Sequence, residues 1–320
     1  MIRSVALLSV ATIALTTAAN AQSVDPKLPK YQAVQGVSGN LVSIGSDTLN
    51  NLMTYWSEGF RKFYPNVAIQ IQGAGSGTAP PALIEGTAQF GPMSRPMRGT
   101  EIERFEAKYG YKPIPLRGAI DAIGVFVHRD NPVKCISLQQ VDAIFSSTRA
   151  GGANAPITTW GQLGATGEWA NRPISMYGRN SASGTYGFFK DVALFGGDYS
   201  PAVREQPGSS TVIQGVAADI GGIGYSGVGY GTADVRALEI SGQDGKCHPT
   251  TAAPTGDYPV ARFLYVYMNV DPNAKMEPLR AEFVRYVYAQ EGQADVLRAG
   301  FFPVVEKIAN DDLKAFGLKK

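Results

Sequence analysis

Short apolar runs and helix-spaced apolar positions alternate along this chain. Leu41-Val42-Ser43-Ile44 reads as a strand that runs into Gly45-Ser46-Asp47-Thr48. Behind it, Leu49, Leu52, Met53, Trp56, Phe60 and Phe63 recur every three or four residues, the buried stripe of a helix that Pro65-Asn66 ends. Residues 67–71 alternate as a second strand and lead into Gly73-Ala74-Gly75-Ser76-Gly77-Thr78. Further on, 123–127 predicts a strand closed by Asp130-Asn131-Pro132. Ser137 followed by Gln140 is a capping-box signature that opens a helix through Phe145. Residues 147–158 form a Gly/Ala-rich loop, and 173–177 a strand that feeds Gly178-Arg179-Asn180-Ser181-Ala182-Ser183-Gly184-Thr185. Tyr186, Phe189 and Val192 then mark the inner face of a helix, 260–268 a strand, and 278–290 and 292–297 closing helices. Strand–helix alternation of this kind predicts an α/β fold with parallel or mixed sheets flanked by helices. Residues 22–37, with Pro26 and Pro29 and no periodicity, read as a flexible lead-in.

The first residues change the picture. Arg3 precedes a short apolar stretch from Val5 to Leu15, and Ala19-Asn20-Ala21 supplies a small-residue cleavage site. Residues 1–21 therefore read as a signal peptide, with a mature start at Gln22 and a periplasmic destination. No later segment reaches the roughly 18 uninterrupted apolar residues of a membrane span, and no Cys follows the cleavage site to carry a lipid. A chain of 320 residues is longer than one core usually holds, so two lobes are the expectation. The formal net charge of +2 leaves no basic footprint for nucleic acid. Cys135 and Cys247 are the two cysteines. An oxidising compartment favours one disulfide between them, the other reading being two buried thiols. With two histidines, His128 and His248, and no ligand spacing around either, neither a metal nor another cofactor is expected.

Three segments share one plan: a strand, a turn of Gly and small hydroxyl residues, then a helix. They are Gly45 to Thr48, Gly73 to Thr78, and Arg179 to Thr185. The first turn of a helix leaves backbone N–H groups unpaired at the positive end of its dipole. Glycines admit close backbone approach, and hydroxyls add donors. Arg179 contributes a planar, permanently charged donor for two oxygens at once. One such turn is ordinarily only a helix cap; three that converge would satisfy a tetrahedral anion. No Lys follows the glycines as in a Walker loop, which disfavours a nucleoside triphosphate.

In this order the blocks resemble those of periplasmic phosphate-binding proteins that serve the high-affinity phosphate ABC transporter. The likeness runs from the first Gly-Ser-x-Thr turn through Gly-Ala-Gly-Ser-Gly-Thr and Phe90-Gly91-Pro92-Met93-Ser94-Arg95-Pro96 to Arg179-x-x-x-Ser183-Gly184-Thr185. Ile144-Phe145 with Thr158-Thr159-Trp160, Gly222-Ile223-Gly224-Tyr225, and Tyr258-Pro259-Val260-Ala261-Arg262 follow in the family's order, over roughly residues 38–305. The resemblance implies a two-lobed class II periplasmic binding protein fold with the ligand cleft between lobes. It implies one lobe from 38–121 plus 262–320 and the other from 122–261. Ser76, Arg179, Ser183, Gly184 and Thr185 would be ligands, with Gly77 and Thr78 in the same turn and Ser46 and Thr48 from the first. The implied role is capture of inorganic phosphate by a monomer, for an inner-membrane permease and ATPase, without enzymatic chemistry.

One departure bears on selectivity. Where much of the family has an Asp that accepts the proton of hydrogen phosphate, this chain has Ser94. Asp47, inside the first turn, is the candidate replacement acceptor, its other reading being a helix-cap acid; Asp121 is the poorer choice. Two other functions compete. A secreted phosphatase-like hydrolase would use Ser183 as nucleophile, but such a serine wants a nearby base. An extracellular structural or adhesive role could use the same fold, because fold does not set function.

Overall fold

The computed structural model describes residues 23–242 and 244–319; the expected signal peptide and Gln22 lie outside them. The first strands and helices are β1 (Gly39–Ile44), α1 (Asn50–Arg61), β2 (Val67–Gln72), α2 (Ala79–Glu85), β3 (Gly91–Met93) and α3 (Gly99–Tyr109). The long strand β4 (Ile114–His128) leads away to β5 (Cys135–Ser137), α4 (Leu138–Phe145), β6 (Ser175–Arg179), α5 (Gly184–Ala193), β7 (Arg204–Gln206) and α6 (Ser209–Ala218). Then come β8 (Gly222–Gly227), β9 (Val235–Ala237), β10 (Glu239–Ser241) and β11 (Cys247–His248). Strand β12 (Ala261–Met268) returns to α7 (Pro278–Val287), α8 (Gln290–Arg298) and α9 (Glu306–Ala315).

A seven-stranded mixed sheet runs β3-β12-β4-β8-β6-β7, with β9 also on β4. Its centre explains why β4 is far longer than the 123–127 that local pattern suggests. Residues Ile114 to Ala122 pair with β12, and Ile123 to Val127 pair with β8. The two halves of one strand thus belong to different surroundings. The β4–β12 ladder skips a residue at Gly118, between Leu264 and Tyr265. There a Cβ would stand 2.5 Å from the Trp56 ring, so the bulge carries no side chain.

Two large apolar clusters share these strands, one taking each end of their length. The first gathers α1, α7 and α8 around Trp56, Phe60, Phe283 and Tyr286, and takes Ala119 from β4 and Leu264 from β12. The second gathers Phe145, Trp160, Phe189, Tyr225 and Tyr258, and takes Ala122 and Val260 from the same strands. Phe302 joins the second cluster although it follows α8, because its backbone bridges Ile120. The stripe read on α1 is the reason for the first core: Leu49, Leu52, Met53, Trp56 and Phe60 are all fully buried.

Three local expectations fare differently in the fold. The capping box is present, with Gln140 N–H donating to Ser137 Oγ at 3.2 Å and Ser137 N–H to Gln140 Oε1 at 2.9 Å. The lead-in is not a flexible tail over its described part. Leu28, Tyr31 and Val37 are buried, and Tyr31 Oη donates to Glu282 at 2.9 Å. This strap shows no periodicity because single side chains hold it, without helix or strand. Helix α9, outside the helices expected at the end of the chain, packs Ala309 on the first core, and Phe316 just past its end does the same. Cys135 and Cys247 form a disulfide across a three-stranded sheet, from β5 over β10 to β11.

Candidate functional site

The three glycine-and-hydroxyl turns converge where the two clusters face each other. The first leaves β1 through Gly45, whose place admits no side chain: a Cβ would be 2.1 Å from the Pro92 carbonyl. Ser46 N–H donates to that carbonyl at 2.7 Å, which seats the turn beside the Ser94 loop. The second turn bends at Gly75, with φ +108°, a conformation open to glycine and costly for other residues. Gly77 N–H then crosses to the Ala182 carbonyl of the third turn at 3.0 Å. In the third, Ser183 caps α5, its Oγ accepting from Thr185 N–H at 3.1 Å and Tyr186 N–H at 3.3 Å.

Ser46, Thr48, Ser76, Ser94, Ser183 and Thr185 are all buried, at most 4% exposed. Ser46 Oγ donates to Ser94 Oγ at 2.9 Å, and Ser76 Oγ lies 3.2 Å from Ser94 Oγ. Thr48 Oγ1 and Thr185 Oγ1 meet at 2.8 Å, one from each side of the cleft. Gly184 packs against this cluster; a Cβ there would be 2.3 Å from Ser76 Oγ and 2.7 Å from Ser94 Oγ. Two residues of the motif spend their groups elsewhere: Thr78 Oγ1 donates to the Gly75 carbonyl at 2.8 Å, and Gly77 uses its N–H on Ala182.

Proton accounting gives the cluster its chemistry. These six hydroxyls make three hydroxyl–hydroxyl bonds, and no described carbonyl or carboxylate accepts from any of them. Three of their protons therefore have no acceptor among the described residues. Lone pairs, by contrast, are in demand: Ser183 Oγ takes two backbone N–H groups, and Ser76 Oγ takes Ser94 N–H at 3.0 Å. Arg179 repeats the pattern. Its guanidinium is 1% exposed and donates through Nη1 to Ser209 Oγ at 2.8 Å and through Nη2 to the Pro207 carbonyl at 3.2 Å. Its Nε–H has no partner among the described residues. A buried group of surplus donors suits a ligand made of acceptors.

Asp47 lies beside the same Arg179 nitrogen, its Oδ2 3.3 Å from Nη1. The same oxygen accepts from Ser209 N–H at 2.8 Å, so this carboxylate caps α6 across the cleft. Tyr230 Oη donates to the Asp47 carbonyl at 2.9 Å and to the Thr48 carbonyl at 3.0 Å, a further tie between the two sides. Burial pushes the Arg179 guanidinium below its ordinary value, and Asp47 opposes that shift.

Residue-type reasoning passed over Arg262 as a site residue and ranked Asp121 low. The two stand opposite each other in the β4–β12 ladder, and their side chains are 1% and 0% exposed. Arg262 donates to Asp121 Oδ2 through Nε at 3.1 Å and Nη2 at 2.8 Å. Asp121 Oδ1 accepts from Val228 N–H at 3.2 Å. Burial pushes the Asp121 carboxyl up and the Arg262 guanidinium down, and each partner opposes the other's shift. The available signal was Asp121 and Arg262, each a charge set among apolar neighbours of a strand, an arrangement that costs heavily unless the charges pair.

Comparison with known proteins agrees with this architecture. A family model for the PBP superfamily domain matches residues 31–291. The Phosphate-binding protein PstS of Pseudomonas aeruginosa is 50% identical, across 99% of each chain. A protein of the same name from Staphylococcus haemolyticus is 28% identical, across 87% of this chain and 85% of its own. Among solved structures, a substrate-binding protein assigned to phosphate ABC transport in Clostridium perfringens, with bound phosphate, matches at a TM-score of 0.70 and 24% identity. That match covers 83% of this chain and 100% of that one. An ABC-type phosphate transport receptor from Vibrio cholerae matches at 0.63 and 19%, covering 82% and 100%. The two structural likenesses speak to the fold.

Proposed function

We propose that the chain, which belongs to the PBP superfamily, captures inorganic phosphate between two lobes and hands it to an ABC permease and ATPase of the inner membrane. The observation that carries this reading is the buried surplus of donors: three hydroxyl protons and Arg179 Nε–H without a protein acceptor among the described residues. A phosphate offers four oxygens to such a site. The 50% identical relative that bears the name of a phosphate-binding protein supports the same ligand.

In this reading the lobes are 38–121 with 262–320, and 122–261, and the two apolar clusters that divide at β4 and β12 support that division. The protein acts as an exported monomer, released from its leader at residues 1–21 and active in the periplasm. Among the described residues no helix is long and apolar enough to cross a membrane. It binds and carries without turning over a substrate. Ser183 supports this, since its oxygen is engaged by two backbone N–H groups and no described base approaches it.

Titration calorimetry and thermal melting of anion-stripped protein test the proposal. A ligand bound only by the folded state contributes about 4 kcal/mol at a thousand times its dissociation constant. For a chain of this length that is a melting shift of roughly 8–16 °C. A melting curve unmoved by millimolar phosphate would sink the reading.

A further inference from the structure

We propose that Arg262 is a positioning residue that couples anion capture to closure of the two lobes; the inference rests on the phosphate reading above. A structural ion pair would need only Asp121. The Arg262 guanidinium does more. Beyond Asp121, Nη1 donates to the Ser94 carbonyl, and Nη2 donates to Thr185 Oγ1 at 2.9 Å. One planar group thus holds the loop after β3 on one side of the cleft and the first turn of α5 on the other.

The position of Arg262 makes the contact informative. It sits at the start of β12, directly across from Asp121 of β4, on the two strands that pass between the apolar clusters. A group fixed at this pivot can reach Ser94 and Thr185 together only when both sides stand at the spacing seen here. The Phe188 ring of α5, 5.5 Å away, closes over the guanidinium from the second side.

The chemistry links this clamp to the ligand. Arg donates and never accepts, so Thr185 Oγ1 must receive the Arg262 proton. A lone pair of Thr185 is thereby occupied, and its own proton is left for Thr48 or for the anion. Holding the Ser94 carbonyl likewise sets the backbone that carries the Ser94 hydroxyl. Arg262 therefore orders donors that touch the anion while standing behind them.

Two variants test the proposal. Arg262→Lys keeps the charge beside Asp121, but a point-like ammonium cannot replace the planar fork that serves Asp121, Ser94 and Thr185. The double variant Asp121→Leu with Arg262→Met removes both buried charges, a replacement that folds usually tolerate. Each is titrated with inorganic phosphate well below its melting temperature, release is followed by stopped flow, and the radius of gyration is measured with and without phosphate. Both should bind at least about tenfold more weakly, mainly through faster release, the loss of a hydrogen bond to a charged group. Wild type should contract on binding phosphate, and that contraction should shrink in both variants. Wild-type affinity and release in either folded variant would overturn the role of Arg262, and Arg262→Lys gives the answer alone if the double variant does not fold. If wild type binds no phosphate in the same titration, the phosphate reading itself fails and this inference goes with it.

Discussion

Two arginine–aspartate pairs flank the hydroxyl cluster, and they differ in almost everything but composition. Asp121–Arg262 lies within the β4–β12 ladder, has both side chains out of water, and leaves no nitrogen of the guanidinium idle. Asp47–Arg179 spans the cleft, keeps a quarter of the Asp47 side chain exposed, and leaves Arg179 Nε–H without a partner among the described residues. A buried pair with every group satisfied serves as a platform. In the phosphate reading proposed above, a buried arginine with an unfilled donor is the group that meets the anion. Ion pairs of one chemistry can thus hold a site together or hold it ready, and the remaining hydrogen bonds decide which.

The sharpest way to break this comparison is to remove one partner from each pair. Asp121→Ala strands Arg262 as a buried charge and should cost about 3–5 kcal/mol in denaturant titrations. Asp47→Asn keeps an oxygen for Ser209 N–H where water has access, and should cost about 1 kcal/mol. Equal losses would remove the distinction between platform and waiting donor.

Removing the waiting donor itself addresses binding. Arg179→Ala should abolish most of the phosphate-induced stabilisation of about 4 kcal/mol expected at a thousand times the dissociation constant. Differential scanning calorimetry with and without phosphate measures it, and a full wild-type shift in the variant would show that Arg179 does not face the anion.

Gly184→Ala probes the space between the pairs. Its methyl would fall 2.3 Å from Ser76 Oγ, so the hydroxyl cluster must part. Overpacking of this kind costs about 1–3 kcal/mol, and phosphate affinity should fall with it. Calorimetric titration that finds wild-type affinity would place the anion away from this contact.

The smallest expected effect concerns a third pair, Arg95–Glu101, whose arginine follows Ser94 in the chain. Burial pushes the Glu101 carboxyl up, but the hydrogen bonds from Arg95 and Arg98 N–H more than offset this and hold it below its ordinary value of 4.5. A depressed folded-state value contributes stability above the unfolded value, and that contribution disappears as pH falls through the folded one. Wild type should therefore lose slightly more stability than Glu101→Gln as pH drops from about 5 to 3 in urea titrations. Parallel pH profiles for the two proteins would count against the pairing.

What residue order alone determined is local. The strand–turn–helix units around Gly45, Gly75 and Arg179 are legible because glycines, hydroxyls and an amphipathic stripe act over a few neighbouring positions. So is the capping box at Ser137, where both hydrogen bonds close within three residues. The disulfide was legible for a simpler reason, since two cysteines allow one partner each. The strap at residues 23–37 was not, because irregular backbone held by Tyr31 and Leu28 leaves no period to detect. Nor was the work of Arg262. Asp121 lies 141 positions away, Ser94 168 and Thr185 77, and only the register of β4 against β12 and the approach of α5 bring them to one guanidinium. Asp47 followed the same rule: its partners Arg179 and Ser209 come from the far side of the cleft. Short-range geometry is written in neighbouring side chains, whereas the pairing of buried charges depends on which distant strands and helices meet, and that is set only when the two cores pack.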